Sequence, residues 1–167
     1  MNPAGLVEVS PARPDEYSVL GELVVAAYRS VDAIIWEGYV DILADVAGRA
    51  ADPGVVVLAA RLDRIPVGCA TVVLDSPAMA EGHGPESAVL RMVGVAPSAQ
   101  GHGAGRALIT AAIAITRDHQ RPFLDLHSQP VMLAAQRLYT ALGFVRIPSA
   151  DLEIPGGPQL IGYRLTL

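Results

Sequence analysis

The 167-residue chain has the length of one ordinary domain, and 51% hydrophobic against 17% charged residues describe a globular protein that buries about two-thirds of its unfolded surface. That balance excludes an intrinsically disordered segment. A formal net charge of −5, with all 12 basic side chains being scattered arginines, excludes a basic footprint for nucleic acid, and no apolar run reaches the roughly 20 residues of a membrane span.

Met1–Gly5 carries neither a basic n-region nor an apolar h-region, so no secretory signal is expected and the cytoplasm is the expected compartment. Val7 and Val9 alternate with polar neighbours and predict a short first strand. Pro14 and Asp15 then open a helix to about Ser30, with Leu20, Leu23, Val24, Ala27 and Tyr28 on one face. A second helix is predicted over Tyr39 to Ala50 from Val40, Leu43, Ala44 and Ala47. Asp52, Pro53 and Gly54 break the chain before two β-branched runs, Val55 to Arg61 and Pro66 to Leu74, whose turn-like separation at Leu62 to Arg64 predicts a hairpin. Cys69, the single cysteine, lies in the second run and is assigned to packing, since no intrachain disulfide can form.

Asp75 to Ser87 reads as a loop, and Val89 to Val95 as a fourth strand. After a glycine-rich stretch come a helix from Gly105 to His119, a strand at Phe123 to His127, a helix from Val131 to Leu142, and strands at Phe144 to Ile147 and Leu160 to Leu167. The order is βααβββαβαββ, with no internal repeat or low-complexity linker. It predicts one α/β (α+β) domain spanning residues 1–167 that combines an antiparallel hairpin with crossover helices.

The segment Gln100-Gly101-His102-Gly103-Ala104-Gly105-Arg106 follows a strand and enters a helix. Glycines there let successive amides converge on an anion while the helix N-terminus adds partial positive charge, which suits a pyrophosphate. A Walker loop is excluded because the chain contains no lysine. A dinucleotide fold would use Asp125, about 20 residues past Gly105, as its ribose-binding acid. Arg106 at the third-glycine spacing, the five residues between Val95 and the first glycine, and the preceding hairpin all oppose that reading.

Gln100, Gly103 and Gly105 match the Gln/Arg-x-x-Gly-x-Gly/Ala signature of the GNAT acetyltransferase superfamily. Ala135, Leu138, Tyr139, Leu142, Gly143 and Phe144 match that superfamily's Ala-x-x-Leu-Tyr-x-x-Leu-Gly-Phe element. The chain thus resembles a GNAT N-acetyltransferase from about Val55 to Ile147, and its first 50 residues share the layout alone. The resemblance implies a mixed, mostly antiparallel sheet whose fourth and fifth strands splay apart. A pantetheine arm of acetyl-CoA, the cosubstrate, would pair in that gap as a false strand. Val93, Gly94 and Val95 would meet the arm. The amides of Gly101, His102, Gly103, Ala104, Gly105 and Arg106 would meet the pyrophosphate, with His102 a loop residue beside it. Met132 stands where many relatives have an asparagine touching the pantetheine.

The resemblance also assigns Tyr139 as the group that donates a proton to the departing thiolate. With a tyrosine pKa of about 10 against about 8.5 for a thiol, full transfer would be uphill by roughly 2 kcal/mol, so a hydrogen bond suffices. Relatives often carry a base glutamate in the fourth strand where this chain has Val89, and an ammonium of pKa near 10 needs a replacement base or a less basic acceptor. Glu81, His83, Glu86 and His127 are the candidates, with Glu81 and His127 ranked first. His83, His102, His119 and His127 show no ligand spacing, and no metal site is expected. Tyr28, Trp36 and Tyr39 cluster at the connection of the first two helices, which borders the acceptor site in such relatives. They either pack the helices onto the sheet or line a pocket for an amine with an apolar portion, Glu37 or Glu81 attracting its ammonium. A primary or peptide amine is the expected acceptor and a homodimer, common among relatives, an expected assembly. Loss of the base at Val89 leaves a catalytically silent acyl-CoA sensor as the rival reading.

Overall fold

The computed structural model describes residues 6–167; Met1–Gly5, on which the leader expectation rests, lie outside the described residues. In chain order the elements are β1 (Val7–Pro11), α1 (Tyr17–Arg29), α2 (Tyr39–Ala44), α3 (Val46–Ala51), β2 (Val55–Leu62), β3 (Ile65–Val73), β4 (Ser87–Val95), α4 (Ala104–Asp118), β5 (Phe123–Ser128), α5 (Leu133–Ala141), β6 (Val145–Arg146), β7 (Leu152–Glu153) and β8 (Gln159–Thr166). The strands form one sheet in the order β1-β2-β3-β4-β5-β8-β6, with β7 paired to β8. Every pairing is antiparallel except that of β4 with β5.

Two expectations are corrected. The helix read over Tyr39 to Ala50 is two short helices, broken where the Asp45 carboxylate accepts a hydrogen bond from the Gly48 amide at 2.8 Å and starts a new helix. The element order βααβββαβαββ therefore lacks one helix, and it also lacks β7, a two-residue strand too short for any periodicity. The hairpin turn holds, with Asp63 and Arg64 both at positive φ, as a tight turn between right-twisted strands requires.

Alternation along the strands sends apolar side chains to two cores. Leu58, Ala60, Ala70, Val72, Ala88, Leu90, Leu124 and Leu126 pack beneath α4, while Val57, Ala59, Cys69, Val73 and Val89 pack beneath α1 to α3. Cys69 is fully buried, and burial pushes its thiol up to about 11, in keeping with a packing role. In β4 the alternation fails. Leu90 faces α4, yet Met92, two residues on, faces α1, and Val93 and Val95 join the α4 side. The cause is a bulge: Cys69 pairs with Gly94 but Thr71 pairs with Arg91, and Met92 takes φ +52.

Candidate active site

The splay expected between the fourth and fifth strands is present. β4 and β5 pair from Ser87 with Phe123 to Leu90 with Leu126, and beyond Leu90 that ladder ends although β4 continues to Val95. The bulge at Met92 bends β4 away at this point. Sequence reading missed the bulge, which has no composition signal.

One cavity of about 710 Å³ runs from this opening along the glycine loop. Val93, Gly94 and Val95 line it from β4, and Gln100, Gly101, Gly103, Ala104, Gly105 and Arg106 from the loop and the first turn of α4. Met132 and Tyr139 close it from the α5 side. His102 stands apart: its Nδ1 folds back to within 3.2 Å of the Ala99 carbonyl and 3.1 Å of that of Gln100, and its ring leaves the cavity wall. Gly101 and Gly103 take φ +82 and +84, and no protein atom lies within 4 Å of where a Cβ would project. The loop is thus held in a left-handed shape by its glycines while open space lies before it. Gly103 caps α4, so the helix's unsatisfied amides begin there. A flexible chain ending in pyrophosphate fits these features: apolar walls, free amides and no competing acid on the loop.

Tyr139 is buried against Phe144 and Tyr163, with ring centroids 5.8 and 6.2 Å away. Burial, with a smaller effect of Tyr163, pushes its hydroxyl up to about 12.

A second cavity of about 500 Å³ lies on the other side of the opening, and the two share Tyr28 and Met132. Trp36 and Tyr39 both line it, stacked at 3.8 Å with 13° between their planes. The three aromatic residues singled out from the sequence therefore both pack and line a pocket. Glu37 is exposed and outside the wall, as is Glu86.

Glu81 and His127, ranked first as bases, meet in this second cavity. His127 Nδ1 lies 2.9 Å from Glu81 Oε2, and Nε2 donates to the Ala150 carbonyl at 2.7 Å. The other oxygen of Glu81 pairs with Arg91 at 2.7 Å. Burial would raise the Glu81 pKa, but the His127 hydrogen bond and the Arg91 cation outweigh it and hold the carboxyl below its usual range. Burial would likewise lower that of His127, yet Glu81 and the Ala150 carbonyl together raise it. The pair is an imidazolium and a carboxylate, with both ring nitrogens donating. Glu81 adopts φ +49 to reach between its two cations.

His83 faces a different group. Its Nδ1 lies 2.9 Å from Asp125, which Arg164 also holds with two 2.8 Å hydrogen bonds. His83 Nε2 is the one buried side-chain polar atom without a partner among the described residues. Val89 is 1% exposed within the apolar core. Sequence reading passed over Arg91, whose signal was a lone charge inside an apolar strand. It also missed Gln129, whose side-chain amide accepts from the Ile34 amide and donates to its carbonyl, both at 2.8 Å, tying the α1–α2 connection across the opening.

Known proteins share this architecture. The profile of the family described as Acetyltransferase (GNAT) family matches residues 18–144. No curated protein sequence matches the chain. An acetyltransferase of GNAT family from Staphylococcus aureus Mu50 is similar over 96% of this chain and 99% of its own, with a TM-score of 0.75 and 14% identity. Ribosomal-protein-alanine N-acetyltransferase from Brucella melitensis gives 96%, 99%, 0.72 and 22% by the same measures. A Salmonella typhimurium protein solved with its cofactor acetyl-CoA gives 96%, 94%, 0.71 and 20%. At these identities the likeness is one of fold.

Proposed function

The chain belongs to the acetyltransferase (GNAT) family, and we propose that it moves an acetyl group from acetyl-CoA to a primary amine by direct attack within a ternary complex. The meeting of two cavities at Tyr28 and Met132, where β4 and β5 part, carries this reading. A long donor enters along one cavity, an acceptor enters the other, and the junction is where they can touch without a covalent enzyme intermediate.

Acetyl-CoA supplies the activated acetyl group. The amides of the loop from Gly101 to Arg106 and the N-terminus of α4 hold its pyrophosphate, and the unpaired edge of β4 at Val93 and Val95 receives its amide-bearing arm. Met132 gives that arm an apolar surface rather than the polar contact an asparagine would make. Tyr139 stands on the wall of the donor cavity and hydrogen-bonds the leaving sulfur. The Brucella melitensis neighbour, named for a ribosomal-protein alanine, illustrates an amine acceptor on this fold.

Release of free thiol from acetyl-CoA against a panel of amines, for the native chain and Tyr139→Phe in parallel, tests the reading. Amine-dependent release that drops in the variant supports it. Acetyl-CoA binding with no release for any amine would shift the reading to a silent acyl-CoA sensor, which the engaged state of Glu81 and His127 would then explain.

A further inference from the structure

We propose that Arg49 is an oxyanion-binding residue of the second cavity, and that the molecule entering there carries an acidic group, a carboxylate or a phosphonate-type oxyanion, at a distance from its amine. This rests on the acetyltransferase reading and adds to it a second point of recognition, remote from the reacting nitrogen.

Two arginines are buried among the described residues, and they differ in one respect. Arg61, 4% exposed, is neutralised by Glu16 through two 2.6 Å hydrogen bonds. Arg49, 5% exposed, lines the cavity of about 500 Å³ and has no carboxylate within 4 Å of its nitrogens. Its Nε donates to the Thr71 hydroxyl at 3.2 Å, one terminal nitrogen donates to the Ile42 carbonyl, and the other donates to the Leu43 carbonyl at 3.2 Å. These bonds tie α3 to the end of α2 and to β3, and they satisfy hydrogen bonding without neutralising the charge. One N–H on each terminal nitrogen is left over. A planar guanidinium with two such donors matches the two oxygens of a carboxylate.

The cost of that arrangement calls for a partner. A buried charge without a counter-ion destabilises a fold, and burial lowers the Arg49 pKa from its ordinary value, as it does for a cation taken from water without full compensation.

The surroundings make the deficit of negative charge local. Thr71, which Arg49 touches, pairs with Arg91 across β3 and β4, so a second guanidinium stands on the neighbouring strand. Arg91 has one carboxylate partner, Glu81, and shares it with His127. Arg49, Arg91 and His127 thus meet a single carboxylate at the sheet side of the cavity. Asp45 and Asp52 balance the lining in total but not in place. Asp45 is exposed and accepts from the Gly48 amide, and Asp52 accepts from the Gly54 amide and the Ser76 hydroxyl. An anion seated at Arg49 gains from both neighbouring cations and meets no acid in contact with that guanidinium.

The experiment compares β-alanine, γ-aminobutyrate, ε-aminocaproate and γ-aminopropylphosphonate with the carboxamides of the three carboxylates. Their amines have similar basicity, so the acidic group is the variable. Calorimetry with CoA present reads acceptor affinity without turnover, and thiol release from acetyl-CoA reads kcat/KM. At one chain length the acid should bind about 10- to 150-fold more tightly than its carboxamide, the range for hydrogen bonds to a charged group. A phosphonate that outbinds every carboxylate would also support the subsite and identify the oxyanion. In Arg49→Gln the ratio of acid to carboxamide should collapse towards one while CoA affinity holds, and Arg49→Lys should recover part of it. Equal affinity of acid and carboxamide on the native chain at every length would overturn the inference and leave an acetyltransferase, a result that stands even if Arg49→Gln fails to fold. An Arg49→Gln loss shared equally by acid and carboxamide would reduce Arg49 to a tie between α3, α2 and β3. Acid-selective binding without thiol release would support the subsite and remove the acetyltransferase reading instead.

Discussion

Replacing Tyr139 with phenylalanine separates proton transfer from hydrogen bonding at the leaving sulfur. Sequence reasoning set tyrosine at about 10 against a thiol at about 8.5; burial against Phe144 and Tyr163 pushes the hydroxyl up to about 12 and widens the gap to about 3.5 pH units. Complete transfer to the thiolate is then uphill by about 5 kcal/mol, so the role proposed for the hydroxyl is to stabilise developing charge by donating a hydrogen bond. Hydrogen bonds to charged groups contribute about 1.5–3 kcal/mol, which corresponds to a fall of roughly 10- to 150-fold in kcat. KM for acetyl-CoA should hold, because the stabilisation exists only as the C–S bond breaks. The buried ring remains in phenylalanine, so stability should shift by no more than about 0.5 kcal/mol. Steady-state thiol release and a thermal melt measure all three. An unchanged kcat in a folded variant would reduce Tyr139 to packing, and a loss beyond about 10⁴-fold would refute the hydrogen-bond limit.

Gly103→Val forces a β-branched residue into φ +84 at a cost of about 1–2 kcal/mol and fills the open space before the loop; acetyl-CoA affinity by calorimetry should fall sharply, and an unchanged affinity would remove the pyrophosphate from this loop. Trp36→Ala should raise the acceptor KM by up to about tenfold while acetyl-CoA binding holds, since the lost stacking on Tyr39 is worth about 0.5–1.5 kcal/mol; full activity in the folded variant would confine Trp36 to a structural role. The stabilisation from the Glu81–His127 pair is complete between the ordinary carboxylate and histidine pKa values of about 4.3 and about 6.5; it is lost as pH rises through the raised His127 value and as pH falls through the lowered Glu81 value. Glu81→Gln should lower the His127 pKa, read by histidine NMR, and remove that loss of stability at alkaline pH. Buried Glu16 accepts two 2.6 Å hydrogen bonds from Arg61, so Glu16→Gln leaves a buried guanidinium short of its partner and should cost about 3 kcal/mol in urea unfolding.

The features legible from sequence are those whose cause is local. Helix faces repeat at three and four residues, strands alternate, and positive φ at Gly101 and Gly103 needs residues without a Cβ, so elements and loop could be read from neighbours along the chain. The split at Asp45 was also local, but its cap competes with a continuous apolar stripe that by itself reads as one helix. Three matters belong to the tertiary structure. The bulge at Met92 arises because β3 supplies one residue opposite two, which β4 alone does not reveal. Tyr28 and Met132 meet at the junction of the cavities although 104 positions separate them. The residue types of Glu81 and His127 suggest a base, but their chemistry depends on where their hydrogen bonds go. Arg91 comes from β4 and the Ala150 carbonyl from a distant turn, and together they make Glu81 and His127 an ion pair in which the His127 ring has no lone pair to offer. Protonation is set by the charges and dipoles within a few ångströms, and only folding determines which ones those are.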